Sequence, residues 1–325
     1  MLKVLCSNSQ ISFNIALCEK ANLIVAVTFM KILNIFGFLF LFTLVMPVTV
    51  VAEQSIAKEN KDELSALDQR IKIERATRFQ SFVLTPHKPN YILPLSYNDK
   101  PNNTSADVPG DGELDKNEVK FQFSMKFTII ENLFDNRGSV QFAYTNLSFW
   151  QAYNADASSP FRETVHEPEI FLIFQNDWEY LGFNNRLIQL GFVHQSNGRS
   201  EALSRSWNRI YADFIFQHGD FYLSLKPWYR LGGTGSGEES NPDIEKFFGH
   251  GEFRAVYAGG KHTFSIMLRN NFDSSNGALE LNWSFPMSRR VKWFVQYFNG
   301  YGESLIDYNV RVNRVGVGIA FTDWL

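Results

Sequence analysis

The strongest constraint on this chain is an alternation of apolar and polar side chains with a period of two. Its clearest instance runs from Val119 to Ile129. There Val119, Phe121, Phe123, Met125, Phe127 and Ile129 are separated by Lys120, Gln122, Ser124, Lys126 and Thr128. Successive side chains of a strand point to opposite faces, so the spacing predicts a strand with one apolar and one hydrated face. Comparable strands are predicted at 90–97, 118–130, 139–149, 168–176, 186–196 and 207–217. Six more follow at 220–231, 247–257, 262–272, 277–286, 290–299 and 310–321, making twelve, an even number. Long connections (98–117, 150–167, 197–206, 232–246, 300–309) mostly interleave with shorter ones (131–138, 177–185, 218–219, 258–261, 287–289). Only 273–276 breaks the trend.

A soluble sandwich has no need to sort its loops in this way. A transmembrane barrel does, with short turns at one rim, longer loops at the other, and strands of roughly 10 residues that are apolar outward and polar inward. The expected fold is therefore all-β, a twelve-stranded antiparallel transmembrane β-barrel with a short N-terminal periplasmic segment. A soluble sandwich or barrel is the weaker alternative. Aromatic residues make up 15% of the chain, 31 Phe among them, and aromatic girdles at the two membrane interfaces would absorb that excess. A mean hydropathy of −0.19 excludes a bundle of transmembrane helices, each of which needs ~20 apolar residues. With a formal charge of −3 and no basic stripe, nucleic acid is not an expected partner.

One segment is strongly apolar. From Met30 to Ala52 the chain carries Lys31, an apolar run from Ile35 to Met46, and a small-residue site at Val50-Val51-Ala52. This pattern reads as a signal peptide at 30–52, and Pro47 argues against a permanent anchor. Residues 1–29 read as sequence upstream of the true start and outside the mature protein. Cys6 and Cys18 are the chain's two cysteines and both precede Met30, so the mature fold is expected to hold neither a disulfide nor a cysteine zinc site. Residues 53–89, polar and mixed in charge, are expected to form a periplasmic tail or short helix without a site, ahead of a barrel domain at 90–325.

Two of the predicted strands place polar groups on the wrong face. In 186–196, Ile188, Leu190 and Phe192 share their parity with His194 and Ser196, while Gln189, Gly191 and Gln195 take the other. In 207–217, Asn208 shares the parity of Ile210, Ala212, Phe214 and Phe216, while Arg209, Tyr211, Asp213 and Gln217 point inward. Three polar side chains thus lie on the outer wall, flanking loop 197–206. At the membrane interface such placement costs about 0–1 kcal/mol, against ~2–4 at the midplane. Chemically, they match a nucleophile (Ser196), a base (His194) and an orienting group (Asn208). Residues i and i+2 of a strand stand ~7 Å apart, a gap an imidazole can bridge. An adjacent antiparallel strand would bring the Asn208 carbonyl to the other ring nitrogen, where it would fix the tautomer. Parity alone leaves open the simpler reading that these groups only meet lipid headgroups.

The continuous stretch HQSNGRSEALSRSWNR, His194 to Arg209, closely resembles the signature of outer-membrane phospholipase A, the calcium-dependent barrel lipase of Gram-negative bacteria. SSPFRET (158–164), KPWYR (226–230), NPDIEKFFG (241–249) and GYGESLIDYN (300–309) resemble that family too, as do TPHKPNYILPLSYN (85–98) and VKFQFS (119–124). The resemblance spans about residues 85–325. It implies a twelve-stranded barrel in the outer membrane, with its active site toward the outer leaflet. It implies Ser196 as nucleophile, His194 as base and Asn208 as third member of a triad, acting on the acyl esters of phospholipid and lysophospholipid as a phospholipase A1 and A2. The oxyanion donor falls on the Gly198 N–H. Calcium ligands fall on the Arg199 carbonyl and Ser204 hydroxyl, with Ser158 contributed across a dimer interface. Activity would then belong to a homodimer, with a resting monomer. Two positions depart from the family: Glu201 stands where the best-known members have aspartate, and Asn146 where a glutamine sits at the dimer interface. The chain ends Trp324-Leu325 in place of the usual aromatic terminus.

Other signals carry less. Asp107 to Glu118 partly imitates a calcium-binding EF-hand loop, but Pro109 spoils its third position and a strand follows where a helix should. Gly233 to Gly237 has neither the lysine nor the helix of a phosphate loop. No G-x-S-x-G elbow occurs, which disfavours a soluble α/β-hydrolase. His87, His166, His218, His250 and His262 are scattered and receive no role. The competing functional class is a non-catalytic barrel, porin-like or structural, with an inactive triad.

Overall fold

The computed structural model describes residues 64–80, 83–103, 113–200, 203–232 and 241–325. The readings for 1–29 and 30–52 lie outside them, as do 53–63, the first half of the EF-hand-like loop, Gly233 to Gly237, and Glu201. Among the described residues, twelve long strands run in order: β1 (Asn90–Asn98), β2 (Asn117–Asn132), β3 (Gly138–Trp150), β4 (Phe161–Gln175), β5 (Phe183–Ser196) and β6 (Ser206–His218). The second half is β7 (Phe221–Leu231), β8 (Gly251–Gly259), β9 (His262–Asn271), β10 (Asn276–Pro286), β11 (Lys292–Gly300) and β12 (Val312–Thr322). Each pairs antiparallel with the next, and β12 pairs with β1, so the sheet closes into the expected barrel. None of the described helices is long and apolar enough to cross a membrane.

The pleat follows the alternation. On β2, Lys120 and Ser124 are buried inside while Phe123 and Phe127 stand 42% and 46% exposed on the outer wall. Closure needs a close approach at the seam. A Cβ on Gly318 would lie 2.1 Å from the Ile92 carbonyl oxygen, so β12 and β1 can meet only because that position has none. Pro94 lies in the adjoining register shift of β1 against β2, where a missing ladder donor is tolerated.

Two strand starts differ from the expected ones by four residues or more. β4 starts at Phe161, not 168, because the charges that made 161–167 read as a loop face the lumen and find partners there. Glu163 accepts from the Ile306 N–H (2.8 Å), and Glu167 from Lys88 (2.5 Å). β8 starts at Gly251, not 247, because Glu245–Phe248 form one helical turn ended by Gly249 at φ 69°.

A chain of ion pairs crosses the lumen beside a cavity of about 560 Å³. Lys120 pairs with Glu303 (2.8 Å), Glu303 with Arg314 (2.7 Å), Arg314 with Glu118 (2.7 Å), Glu118 with Arg162 (3.1 Å), and Arg162 with Asp307. The two Arg and Lys120 lie against the buried Phe149 ring, with their cationic centres 4.7–5.4 Å from its centroid. Glu303 and Asp307 come from loop 301–311, so GYGESLIDYN folds inward and buries Leu305 and Ile306. At the short-turn rim, helix α1 (Ala66–Thr77) starts at Ser65, whose Oγ accepts from the Asp68 N–H (3.1 Å). Leu67 and Ile71 of α1 pack against inward residues Leu187, Tyr222 and Val256, and Arg70 donates to the Pro86 carbonyl (2.9 Å). The segment read as a tail or short helix is, over 66–77, a helix packed inside the barrel rim.

Loop 301–311 also sets a pH response. Although burial alone would raise it, the Glu303 carboxyl is held below the usual carboxylate range by Arg314 and Lys120. A carboxyl depressed in the folded state adds stability that is fully present above its unfolded value, about pH 4.3, and is lost as pH falls through the folded value. The contribution of Glu303 should therefore be constant from neutrality to about pH 4 and fall below it. Unfolding midpoints against pH would check this, with a shallower acid limb in Glu303→Gln.

Candidate active site

Strands β5 and β6 place the three outward polar residues on one stretch of the outer wall and bring His194 and Asn208 into contact. The outer wall around them is apolar, with Leu190 47%, Phe192 39% and Ile210 45% exposed, and the inward partners of the same strands are Val193, Trp207, Arg209 and Tyr211. His194 stands directly opposite Asn208 in the ladder. Asn208 Oδ1 lies 2.8 Å from His194 Nδ1, so the amide oxygen accepts the Nδ1 proton and leaves Nε2 as the basic nitrogen. Ser196, half-buried, follows two residues along the same face of β5.

The wall behind this pair is braced from inside. Trp207 Nε1 donates to Gln195 Oε1 (2.7 Å), and the Arg209 guanidinium lies over the Trp207 ring at 4.0 Å from its centroid. Trp207 packs edge-on against Phe248 at 5.1 Å. Neighbouring inward residues alternate with the outward ones, so fixing Gln195 and Trp207 fixes the directions of His194, Ser196 and Asn208.

Loop 197–205 is tied by one side chain. The buried Asn197 donates to the Leu203 carbonyl (2.9 Å), and its Oδ1 accepts from the N–H groups of Arg199 (3.3 Å) and Arg205 (2.9 Å). Gly198 adopts φ 63°, a conformation glycine takes without strain. Arg199 reaches across to β4, where its Nη2 donates to the carbonyls of Phe161 (3.2 Å) and Arg162 (2.6 Å). Ser204 is half-buried in the same loop. Ser158 lies in a different loop, 151–160, at φ 61° and exposed. No cluster of three His, Cys, Asp or Glu suited to a metal occurs among the described residues.

Sequence reasoning missed two groups at this site. His166 stands opposite Ser196 in the β4–β5 ladder, and Tyr144 on β3 lies 2.6 Å by its hydroxyl from His166 Nδ1. The available signal was parity: His166 shares the outward face of Ile170, which the late start assigned to β4 concealed. Asn146 stands opposite His166 on the other side and accepts from the Ser148 hydroxyl (3.0 Å).

Comparison with known proteins places these features in context. Residues 67–321 match the family model described as Phospholipase A1. The chain is 35% identical to the phospholipase A1 of Escherichia coli K12 over 86% of its own length and 95% of that protein. Among solved structures it is similar to a Salmonella typhi outer membrane phospholipase dimer with bound calcium. That match has 36% identity and a TM-score of 0.71, covering 75% of this chain and 94% of the other. A variant of outer membrane phospholipase A from Escherichia coli, an active-site mutant with an asparagine changed to alanine, matches at 36% identity and TM-score 0.71, covering 76% and 95%.

Proposed function

The chain belongs to the phospholipase A1 family of Gram-negative outer-membrane barrels, and from that premise we propose that it is a serine hydrolase whose Ser196, His194 and Asn208 cleave phospholipid acyl esters from the outer leaflet. The observation that carries this reading is the 2.8 Å contact between Asn208 Oδ1 and His194 Nδ1 on an otherwise apolar outer wall. A polar pair without chemistry has little reason to sit there. That an asparagine belongs to the active site of the Escherichia coli structure supports the same assignment.

The acyl chain of a phospholipid lies along the outer wall beside Phe192 and Phe214. His194 Nε2 takes the Ser196 proton as Oγ bonds to the ester carbon, and the carbonyl electron pair moves onto oxygen. The Gly198 N–H faces that developing charge. Collapse expels the alcohol, which recovers the proton from His194. Water, deprotonated by the same imidazole, then hydrolyses the acyl-serine to fatty acid. Lysophospholipid is the co-product and a second substrate, since the wall reads an ester and its chain without regard to glycerol position. Asn208 holds the ring and, being neutral, stabilises imidazolium less than a carboxylate would. Asn208→Ala should lower kcat by about 10–100-fold, the size of one lost hydrogen bond to a charged group, with KM little changed. Steady-state kinetics in mixed micelles would check it.

The donor set fits calcium. The Arg199 carbonyl and Ser204 hydroxyl are hard neutral oxygens, and calcium takes about six to eight of them. One chain therefore falls short, and the exposed Ser158 of a second copy, together with water, would complete the shell; the calcium-bearing Salmonella typhi dimer supports this arrangement. When bound there, calcium would supply positive charge beside the oxyanion. Activity should fall to background in EDTA and return with calcium, while Ser204→Ala should need a higher calcium concentration for half-maximal rate.

The mature protein is proposed to be 53–325, after a leader at 30–52, with 53–89 periplasmic. A porin-like role is opposed by the Lys120–Glu303–Arg314–Glu118 ion pairs that cross the lumen and by α1, which packs on inward residues at its short-turn rim. Fatty-acid release from phospholipid–detergent micelles, with calcium or with EDTA, separates the two readings. Release that requires calcium supports the enzyme, and its absence from folded dimer would leave a barrel of another purpose.

A further inference from the structure

The nucleophile assigned above has an imidazole on each side. His194 lies along its own strand and is engaged through Nδ1 by Asn208. His166 faces Ser196 directly across the β4–β5 ladder, where opposite residues bring their Cβ atoms to ~4.5–5.5 Å. Its ring is also oriented: the Tyr144 hydroxyl sits 2.6 Å from Nδ1. A phenol is the more acidic donor and a neutral imidazole nitrogen the better acceptor, so the hydroxyl donates and the ring proton is left on Nε2. The Nε2 edge points toward the catalytic loop. A methyl group placed on Gly198 would lie 3.7 Å from Cδ2 and 3.8 Å from Nε2 of His166, so that edge borders the space beside the Gly198 backbone.

We propose that His166 is a further catalytic residue, whose Nε2–H, held by Tyr144, donates a second hydrogen bond to the ester carbonyl oxygen beside the Gly198 N–H. The proposal rests on Ser196 being the nucleophile. When Ser196 Oγ bonds to the carbonyl carbon and its proton passes to His194, the negative charge that builds on oxygen is shared between the two donors. No proton leaves His166, which returns unchanged when the tetrahedral species collapses. This placement also accounts for a histidine on a face that meets lipid. There, a neutral ring satisfied at Nδ1 needs one acceptor for its remaining N–H, and the reaction provides one.

The test compares wild type, His166→Phe, His166→Gln and Tyr144→Phe, each refolded to a heat-modifiable barrel and with its dimer fraction measured by sedimentation. Two substrates are used: phospholipid in mixed micelles and the phosphate-free p-nitrophenyl ester of a long-chain fatty acid. Losing one preorganised oxyanion donor typically costs about 10²-fold or more in kcat, so His166→Phe should fall by roughly that factor on both substrates at unchanged KM. His166→Gln keeps an N–H and should retain most of the rate, while Tyr144→Phe should lose several-fold. An unchanged kcat in His166→Phe would overturn the proposal. So would a loss confined to phospholipid, which would make His166 a phosphate ligand, or equal loss in His166→Gln. A loss that tracks the dimer fraction would make it an interface residue. Inactive wild type overturns the Ser196 reading itself, whereas active wild type beside fully active His166→Phe overturns only this one.

Discussion

Ser196→Ala is expected to abolish fatty-acid release, lowering kcat by about 10⁴-fold or more while leaving the barrel folded. The size follows from the arrangement. In the proposed triad Ser196 and His194 would act as a unit, since the imidazole has nothing to activate without the hydroxyl, and the hydroxyl is a weak nucleophile without the base. Removing either should therefore cost nearly as much as removing both. The measurement is the double series Ser196→Ala, His194→Ala and the pair, assayed together in calcium. Additive losses would show that the two residues act separately and would remove the triad. Folding is not at issue, because Ser196 is half-buried at the lipid interface and has no part in the lumen network.

The second large effect concerns stability. Glu118 accepts from Arg162 Nε (3.1 Å), from Arg162 Nη2 (3.2 Å) and from Gln151 Nε2 (3.0 Å), and it pairs with Arg314 at 2.7 Å. Each of these charged side chains is 4% exposed or less. Replacing one member of such a network leaves the others buried without their counter-charge, which costs more than the intact network contributes. Glu118→Met should destabilise the barrel by about 3–5 kcal/mol in equilibrium unfolding from lipid vesicles. Arg314→Met in the same chain should restore part of that loss, because it removes one stranded cation. A Glu118→Met cost below about 1 kcal/mol would mean that water in the lumen solvates these charges, and the ion pairs would then be incidental to stability.

How far the sequence carries is visible in single residues. Phe123 and Lys120 took their faces from alternation alone, because in a barrel the side-chain period is two and the two faces meet opposite solvents. The same rule exposed His194, Ser196 and Asn208 as polar residues on the apolar wall. Alternation failed where charges were dense. The Arg162 to Glu167 segment read as a loop, since its acids looked solvent-bound when nothing in the sequence says that Lys88 and the Ile306 N–H await them inside. His166 was lost with that segment.

Strand number, the inward and outward face of each strand, and the three outward polar residues were thus determined by the sequence itself, because they depend on neighbours one or two positions away. The tertiary structure decided which strands pair and in what register, and with that the Asn208–His194 contact, the position of His166 opposite Ser196, and the packing of α1 and loop 301–311 inside the barrel. Those contacts join residues 14 to nearly 200 positions apart, as with Asn208 and His194 or Lys120 and Glu303. Their partners are chosen by register and by the pairing of buried charge, and neither leaves a local trace in the chain.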